Sequence, residues 1–242
     1  MCGRYSLFVP PGDLAERFDV DVEGYQPRYN AAPSQSLPVV TDDQQDSLQF
    51  MEWGLVPPWA DSRDEGGHIN ARGETLLDKA SFGDAFRQDA DGPLAAGRCL
   101  VPADGFYEWT ETDGGKQPHR VTLSEEAPFA MAGLWAQWKP PTTQTGLDAF
   151  AAGGGASGDA DIVETFTIVT TAPNAVVEQL HHRMAVILPE SAEQQWLQGS
   201  PRDALDLVAP FPADRMRSYP VSTAVNDPAN DSPAVVEKLT RD

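Results

Sequence analysis

Strand-forming runs dominate this chain and restrict it to a protein built on sheet. Eight are legible, at 2–8, 36–40, 48–53, 99–110, 119–123, 128–138, 165–170 and 184–188. They are rich in β-branched and aromatic residues and bounded by Gly, Pro, Asn or Asp, the pattern of strands between turns. Helical signals are fewer and shorter. Asp13 with Glu16 reads as a capping box ahead of Arg17 and Phe18, and 73–86 has helical spacing. Asn174 is placed to cap 175–180, Ser191 with Gln194 to cap a segment through Leu197, and Ser200, Pro201 and Asp203 to start another. Many short strands with few helices imply an α+β fold: one domain of strongly curved, mostly antiparallel, barrel-like sheet with short peripheral helices. The domain is expected over 1–225. A flexible insertion is expected at about 140–162, where Gly, Ala and Thr crowd, and a loosely held polar tail at 226–242.

A chain of 242 residues is long enough to bury a real core. No stretch is long and apolar enough to span a bilayer, and the start MCGRYSLF lacks the basic and apolar regions of a secretion signal. A cytoplasmic monomer with no membrane partner is the expectation. Lys plus Arg number 17 against 37 Asp plus Glu, a formal net charge of −20. Only Lys79, Lys116, Lys139 and Lys238 are lysines. So acidic and Lys-poor a surface suits a salt-rich cytoplasm, such as that of a halophilic archaeon. It also argues against broad affinity for nucleic acid, so any such site has to be a local cluster of Arg. The two cysteines, Cys2 and Cys99, form no CxxC and lie far apart. Neither a disulfide framework nor a metal site is expected, and no cofactor is called for.

Cys2 carries the most chemistry. Met is generally removed before a small residue, and removal of Met1 leaves Cys2 with a free amine and a thiol on adjacent carbons. An α-amine titrates at about 7.7–8.0, so part of it is neutral near neutrality. The thiol is the stronger nucleophile once ionised. A 1,2-aminothiol condenses with an aldehyde: the amine gives a Schiff base and the thiol closes it to a five-membered thiazolidine. Glu108 lies in an apolar, aromatic strand, where burial would lift its pKa toward the range useful for proton transfer.

The chain opens MCGRY and continues with RYNAAPSQ at 28–35, WGLVPPW at 53–59, INARGET at 69–75, PADGFYEW at 102–109 and HHRMAVIL at 181–188. This ordered set resembles the SRAP (SOS response-associated peptidase) family, the abasic-site processing proteins of bacteria, archaea and eukaryotes. The likeness runs from Cys2 to about residue 220. It implies a partner, single-stranded DNA containing abasic sites, and a covalent thiazolidine between Cys2 and the ring-opened sugar that shields the lesion in the DNA damage response.

The same resemblance assigns catalytic roles to Cys2, Asn70, Glu108 and His181. Glu108 would move protons at the sugar and drive reversal. His181 matches the first position of the family's H-x-R-M-P pattern and His182 the variable one; Ala185 stands where that pattern has Pro. DNA contacts are expected at Arg4, Asn30, Trp53, Trp59, Arg72, Thr170 and Arg183. Arg forks suit phosphate, hydroxyls donate to it, and Trp faces stack on unpaired bases. Trp53 is expected to be partly core and Trp59, after Pro57 and Pro58, exposed. Asn30 and Pro33 read as a rigid loop lining the cleft, and Thr171 as a second hydroxyl beside Thr170. Trp109, Trp135, Trp138 and Trp196 read as packing. The competing function is a cysteine peptidase, removing its own N-terminus or acting in trans, with Cys2 as nucleophile and its own amine as base. A third class is a non-catalytic module that binds modified bases.

Overall fold

The computed structural model describes residues 2–90, 92–141 and 161–239. Among these the strands are β1 (Tyr5–Leu7), β2 (Arg28–Ala31), β3 (Ser36–Thr41), β4 (Gln49–Trp53), β5 (Asn70–Arg72), β6 (Ala96–Ala103), β7 (Gly105–Thr112), β8 (Gly115–Leu123), β9 (Phe129–Trp138), β10 (Val163–Thr171), β11 (Met184–Ala185), β12 (Ile187–Leu188) and β13 (Met216–Pro220). The α-helices are α1 (Pro11–Phe18), α2 (Ala80–Arg87), α3 (Glu190–Gln198) and α4 (Pro201–Asp206).

The strands form two sheets. One is open and runs β13-β8-β7-β1-β2. The other runs β11-β10-β4-β3-β6-β9-β12, with β5 attached to β10. Because β10 also pairs β9, strands β4, β3, β6, β9 and β10 close into a ring. Pairing is antiparallel except where β10 meets β4 and β5. The α+β, curved and mostly antiparallel fold expected from the strand pattern is the fold observed.

The sequence of β9 explains why it sits inside the ring. Flanked by β6 and β10, it is buried along nearly its whole length and alternates bulky Met131, Leu134 and Trp135 with small Ala130, Ala132 and Ala136. At Gly133 a Cβ would lie 2.7 Å from the Cys99 sulfur, so only glycine lets β6 and β9 approach this closely. Trp53 and Phe166 stack within the core, their ring centroids 6.2 Å apart. Helices α2 and α3 cap the ring through Phe86 and Trp196, and the Trp196 indole donates to Cys99 O at 3.0 Å. Burying each such aromatic contributes roughly 2–3 kcal/mol.

Several local expectations change. The run 99–110 is two strands, β6 and β7, broken at Asp104, whose inward carboxylate accepts from Phe8 N and from Ser6 Oγ at 2.6 Å. The run 184–188 divides into β11 and β12. Pro10, not Asp13, precedes α1, which begins on Pro11 with no side-chain cap, since proline fits the first turn without losing a hydrogen bond. Residues 73–75 form a single tight turn and α2 starts only at Ala80. Asn174 Oδ1 does accept from Val176 N and Val177 N, yet 175–180 are turns and not a regular helix. Helix α3 begins at Glu190 after Pro189, ahead of the expected Ser191. The capping box of Ser200 and Asp203 forms as expected. Strands β2, β5 and β13 were not legible as strands. Residues 142–160 of the expected insertion lie outside the described residues.

Over its described part the segment after residue 226 makes specific contacts with the sheet. Asp231 accepts from Tyr29 N (2.6 Å) and Asn30 N (3.0 Å), and Val235 is buried against Val221, Val225 and Tyr107. A backbone bridge between Val221 and Lys238 closes the segment on itself. A polar composition hides this anchoring because a few single residues supply it.

Candidate active site

The site begins at the edge of the open sheet. Strand β1 pairs with β7 through Tyr5 opposite Phe106, and Tyr107 N donates to Arg4 O at 2.9 Å, carrying the pairing past the start of β1. Cys2 is thereby drawn alongside Glu108. Burial pushes the Cys2 thiol well above its ordinary value, and the nearby Glu108 carboxylate pushes it further. The carbonyl of Cys2 accepts from Asn70 Nδ2 at 2.9 Å, so the first residues of the fold are tied to β5. Asn70 Oδ1 is buried and makes no hydrogen bond among the described residues. A buried acceptor without a donor costs about 1–3 kcal/mol, which marks a place where something else is expected to donate.

Glu108 is only 2% exposed, and burial raises its carboxyl to about 7. It is therefore poised to both give and take a proton near neutrality. Across the β7–β8 hairpin its partner in register is His119, a residue that sequence reasoning missed because the pairing shows only once the hairpin register is known.

His181 reaches the same region by another route. Strand β5 runs beside β10, with Asn70 opposite Ile168 and Arg72 opposite Thr170. Strand β11 returns against the end of β10, with Ala185 opposite Thr170. The turn 181–183, which enters β11, thus lies at the same end of β10 as Asn70 and Arg72. His181 Nδ1 accepts from Arg183 N at 3.0 Å. Burial lowers the pKa of His181, so the neutral ring predominates near neutrality. Its neighbour His182 packs ring to ring at 4.2 Å. Among the described residues no cluster of three or more His, Cys, Asp or Glu side chains is arranged to hold a metal.

Two strands from different sheets thus bring a cysteine, an amide and a carboxylic acid together near the start of the chain. Residues 1–228 match the family of SOS response associated peptidases (SRAP). The chain belongs to the SRAP family. It is 39% identical over 247 residues to the abasic site processing protein YoqW of Bacillus subtilis (strain 168), covering 98% of this chain and 99% of the relative. To the abasic site processing protein HMCES of Gallus gallus it is 32% identical, covering 86% of this chain and 65% of the relative. A crystal structure of a protein from Bacteroides thetaiotaomicron shares the fold, with a TM-score of 0.80 at 23% identity, covering 99% of this chain and all of that one.

Within this SRAP chain the residues expected to touch DNA divide sharply. Trp59 is half exposed and anchored by its indole, which donates to Ala80 O at 3.3 Å. It stands between two surface hollows, one lined by Pro58 and Leu94, the other by Leu77, Lys79 and Arg87. Arg72 is exposed at the end of β5. Both keep the access that a DNA contact requires.

The other five are engaged within the protein. Trp53 is fully buried, its indole donating to Ile69 O at 2.9 Å, so its face cannot take a base. Thr170 is buried too, with its hydroxyl toward Ala71 O. Asn30 is buried: its Nδ2 donates to the carbonyls of Val225, Asp227 and Asn230, and its Oδ1 accepts from Arg4. Arg4 spends its guanidinium on Asn30, Val225 O and Asn226 O. Arg183 forms a two-pronged pair with Glu74, at 2.6 and 2.8 Å, and a further bond to Thr170 O at 2.7 Å. Thr171, likewise buried, is paired with Met184 across to β11. Glu74 was missed by sequence reasoning; its place two residues after Arg72 was the available signal. Trp135, Trp138 and Trp196 are buried as expected, and Trp109 donates to Asn226 Oδ1 at 2.8 Å.

Proposed function

We propose that this protein processes abasic sites in single-stranded DNA, capturing the ring-opened sugar as a thiazolidine on Cys2 after Met1 is removed. The observation that carries this is the convergence on residue 2: Asn70 holds its carbonyl at 2.9 Å, and the buried Glu108 carboxyl lies close enough to shift the thiol. The family membership and the names of the curated relatives, abasic site processing proteins, support the same function.

Glu108 protonates the ring oxygen of the sugar hemiacetal while the neutral His181 ring takes the hydroxyl proton, opening the ring to an aldehyde. The neutral amine of Cys2 adds to the aldehyde carbon. The His181 cation formed in the first step protonates the resulting hydroxyl, which leaves as water, and the Glu108 carboxylate takes back a proton from the nitrogen, leaving a C=N bond. The Cys2 sulfur then adds to that carbon, its proton passing to the nitrogen, and the five-membered ring closes. Reversal runs the same steps backward and needs the same acid, so release depends on Glu108. The spare oxygen of Asn70 would accept from a bound sugar hydroxyl. The raised Glu108 supplies an acid near neutrality, while the raised thiol stays protonated until a base removes its proton.

A single-stranded oligonucleotide with one abasic site, incubated with protein whose intact mass shows Met1 removed, should give a shifted band on a denaturing gel. Cys2→Ala should lose that band. Absence of the band with mature wild type, together with cleavage of a peptide in trans, would replace this proposal with the peptidase. Noncovalent binding indifferent to Cys2→Ala would replace it with a binding module.

A further inference from the structure

We infer that Glu74 is a positioning residue that, through its ion pair with Arg183, fixes His181 with the exchangeable proton on Nε2. The inference rests on the proposed role of His181 at the abasic sugar.

The geometry is a chain of three residues. Glu74 sits on the tight turn 73–75 directly after β5. That turn is pressed against Val208, since a Cβ on Gly73 would lie 2.2 Å from a Val208 methyl, so the position of Glu74 is set by packing. Its two oxygens take both terminal nitrogens of Arg183, at 2.6 and 2.8 Å, the fork geometry that orients a guanidinium. Arg183 also donates to Thr170 O and Oγ1, which locks the turn onto the end of β10.

The backbone of Arg183 meets the His181 ring with both of its groups. Its N–H donates to Nδ1 at 3.0 Å, and its carbonyl oxygen lies 3.2 Å from the same nitrogen. In the neutral ring Nδ1 accepts, so Nε2 carries the hydrogen. In the cationic ring Nδ1–H turns to the carbonyl. One residue therefore serves both protonation states, and the ring keeps its orientation while Nε2 gives or takes the proton. The pair joins a half-exposed Glu74 to an Arg183 side chain that is largely covered. Its contribution is the orientation of the residue that grips the ring.

The test compares Glu74→Gln and Glu74→Asp with wild type, all with Met1 removed. Nitrogen-15 shifts of the His181 imidazole, recorded without DNA, should show a pyridine-like Nδ1 and a pyrrole-like Nε2 in wild type, and a mixture of tautomers in Glu74→Gln. The rate of adduct formation at saturating abasic DNA should fall roughly 10-fold in Glu74→Gln, with half-saturation changed less than twofold, and recover in Glu74→Asp. Unchanged ring nitrogens in Glu74→Gln would overturn the inference. So would tighter binding of intact single-stranded DNA at an unchanged rate, which would make Glu74 a competitor of phosphate for Arg183. If wild type gives no adduct while the nitrogen shifts move as expected, the hold on His181 stands and the abasic-site proposal fails.

Discussion

On one face of the closed ring the side chains are apolar: Trp53, Phe166, Met131, Val101 and Leu37 are all essentially inaccessible. The open sheet is held differently. Arg120 pairs with Asp104 at 2.7 Å deep in the protein and also binds Ser6 and Tyr219. Asn30, Arg4 and Asp231 stitch the end of the chain onto β1 and β2 through backbone carbonyls and amides. Packing specifies the first region; paired polar groups specify the second. The acid of the candidate site, Glu108, lies with the second, held among polar and fixed neighbours, while the ring's sheet contributes Asn70 through β5.

Single substitutions can break this contrast. Asp104→Ala leaves Arg120 buried without its partner and should cost about 3–5 kcal/mol in urea unfolding. Replacing the pair together, with Asp104→Leu and Arg120→Met, should recover much of that loss; a double variant no better than the single one would show that the open sheet does not depend on charge pairing. Phe166→Ala should cost a similar roughly 3–5 kcal/mol, but Phe166→Leu should regain most of it, as an apolar wall requires.

Glu108 sharpens the comparison through pH. Its folded pKa of about 7 lies above the ordinary 4.5, so the folded state holds this proton more tightly than the unfolded chain does. Stability from this group is therefore lost as pH rises from 4.5 to 7, a penalty that levels off at roughly 3 kcal/mol above that window. Glu108→Gln should unfold at higher urea than wild type at pH 8, with the gap closed at pH 4. An equal gap at both values would deny the buried carboxyl its raised pKa.

How much of this was legible follows from the same contrast. The ring strands announce themselves in runs such as FAMAGLWAQW, because apolar burial is written locally. The family motifs placed Cys2, Asn70 and Glu108 together in advance. The partners of Arg4, Asn30, Thr170 and Arg183 were hidden. An arginine fork or a threonine hydroxyl suits a phosphate and a protein carbonyl equally well, and the sequence does not say which lies opposite. Arg4 finds its carbonyls 221 and 222 residues away, and Arg183 its carboxylate 109 away. Strand β2 stayed hidden because it carries the buried Asn30 where a strand pattern asks for an apolar side chain.

Smaller effects complete the series. Asn30→Ala should cost roughly 1–3 kcal/mol through the carbonyls it leaves unbonded, and should speed amide exchange in 225–231 ahead of the ring. Slow exchange there would mean that Asp231 alone suffices to hold the segment. Trp59→Ala should change folding by less than about 0.5 kcal/mol, and affinity for single-stranded DNA, measured by fluorescence anisotropy, should fall about tenfold.

The clasp between Arg4 and residues 225–226 has a consequence in time. During synthesis Arg4 waits for residues 221 and 222 positions later before its guanidinium finds its carbonyls. Throughout that wait this part of the packing around β1 is unmade, so the hold on Arg4 closes late, after the 221 residues that separate it from Val225 have been added.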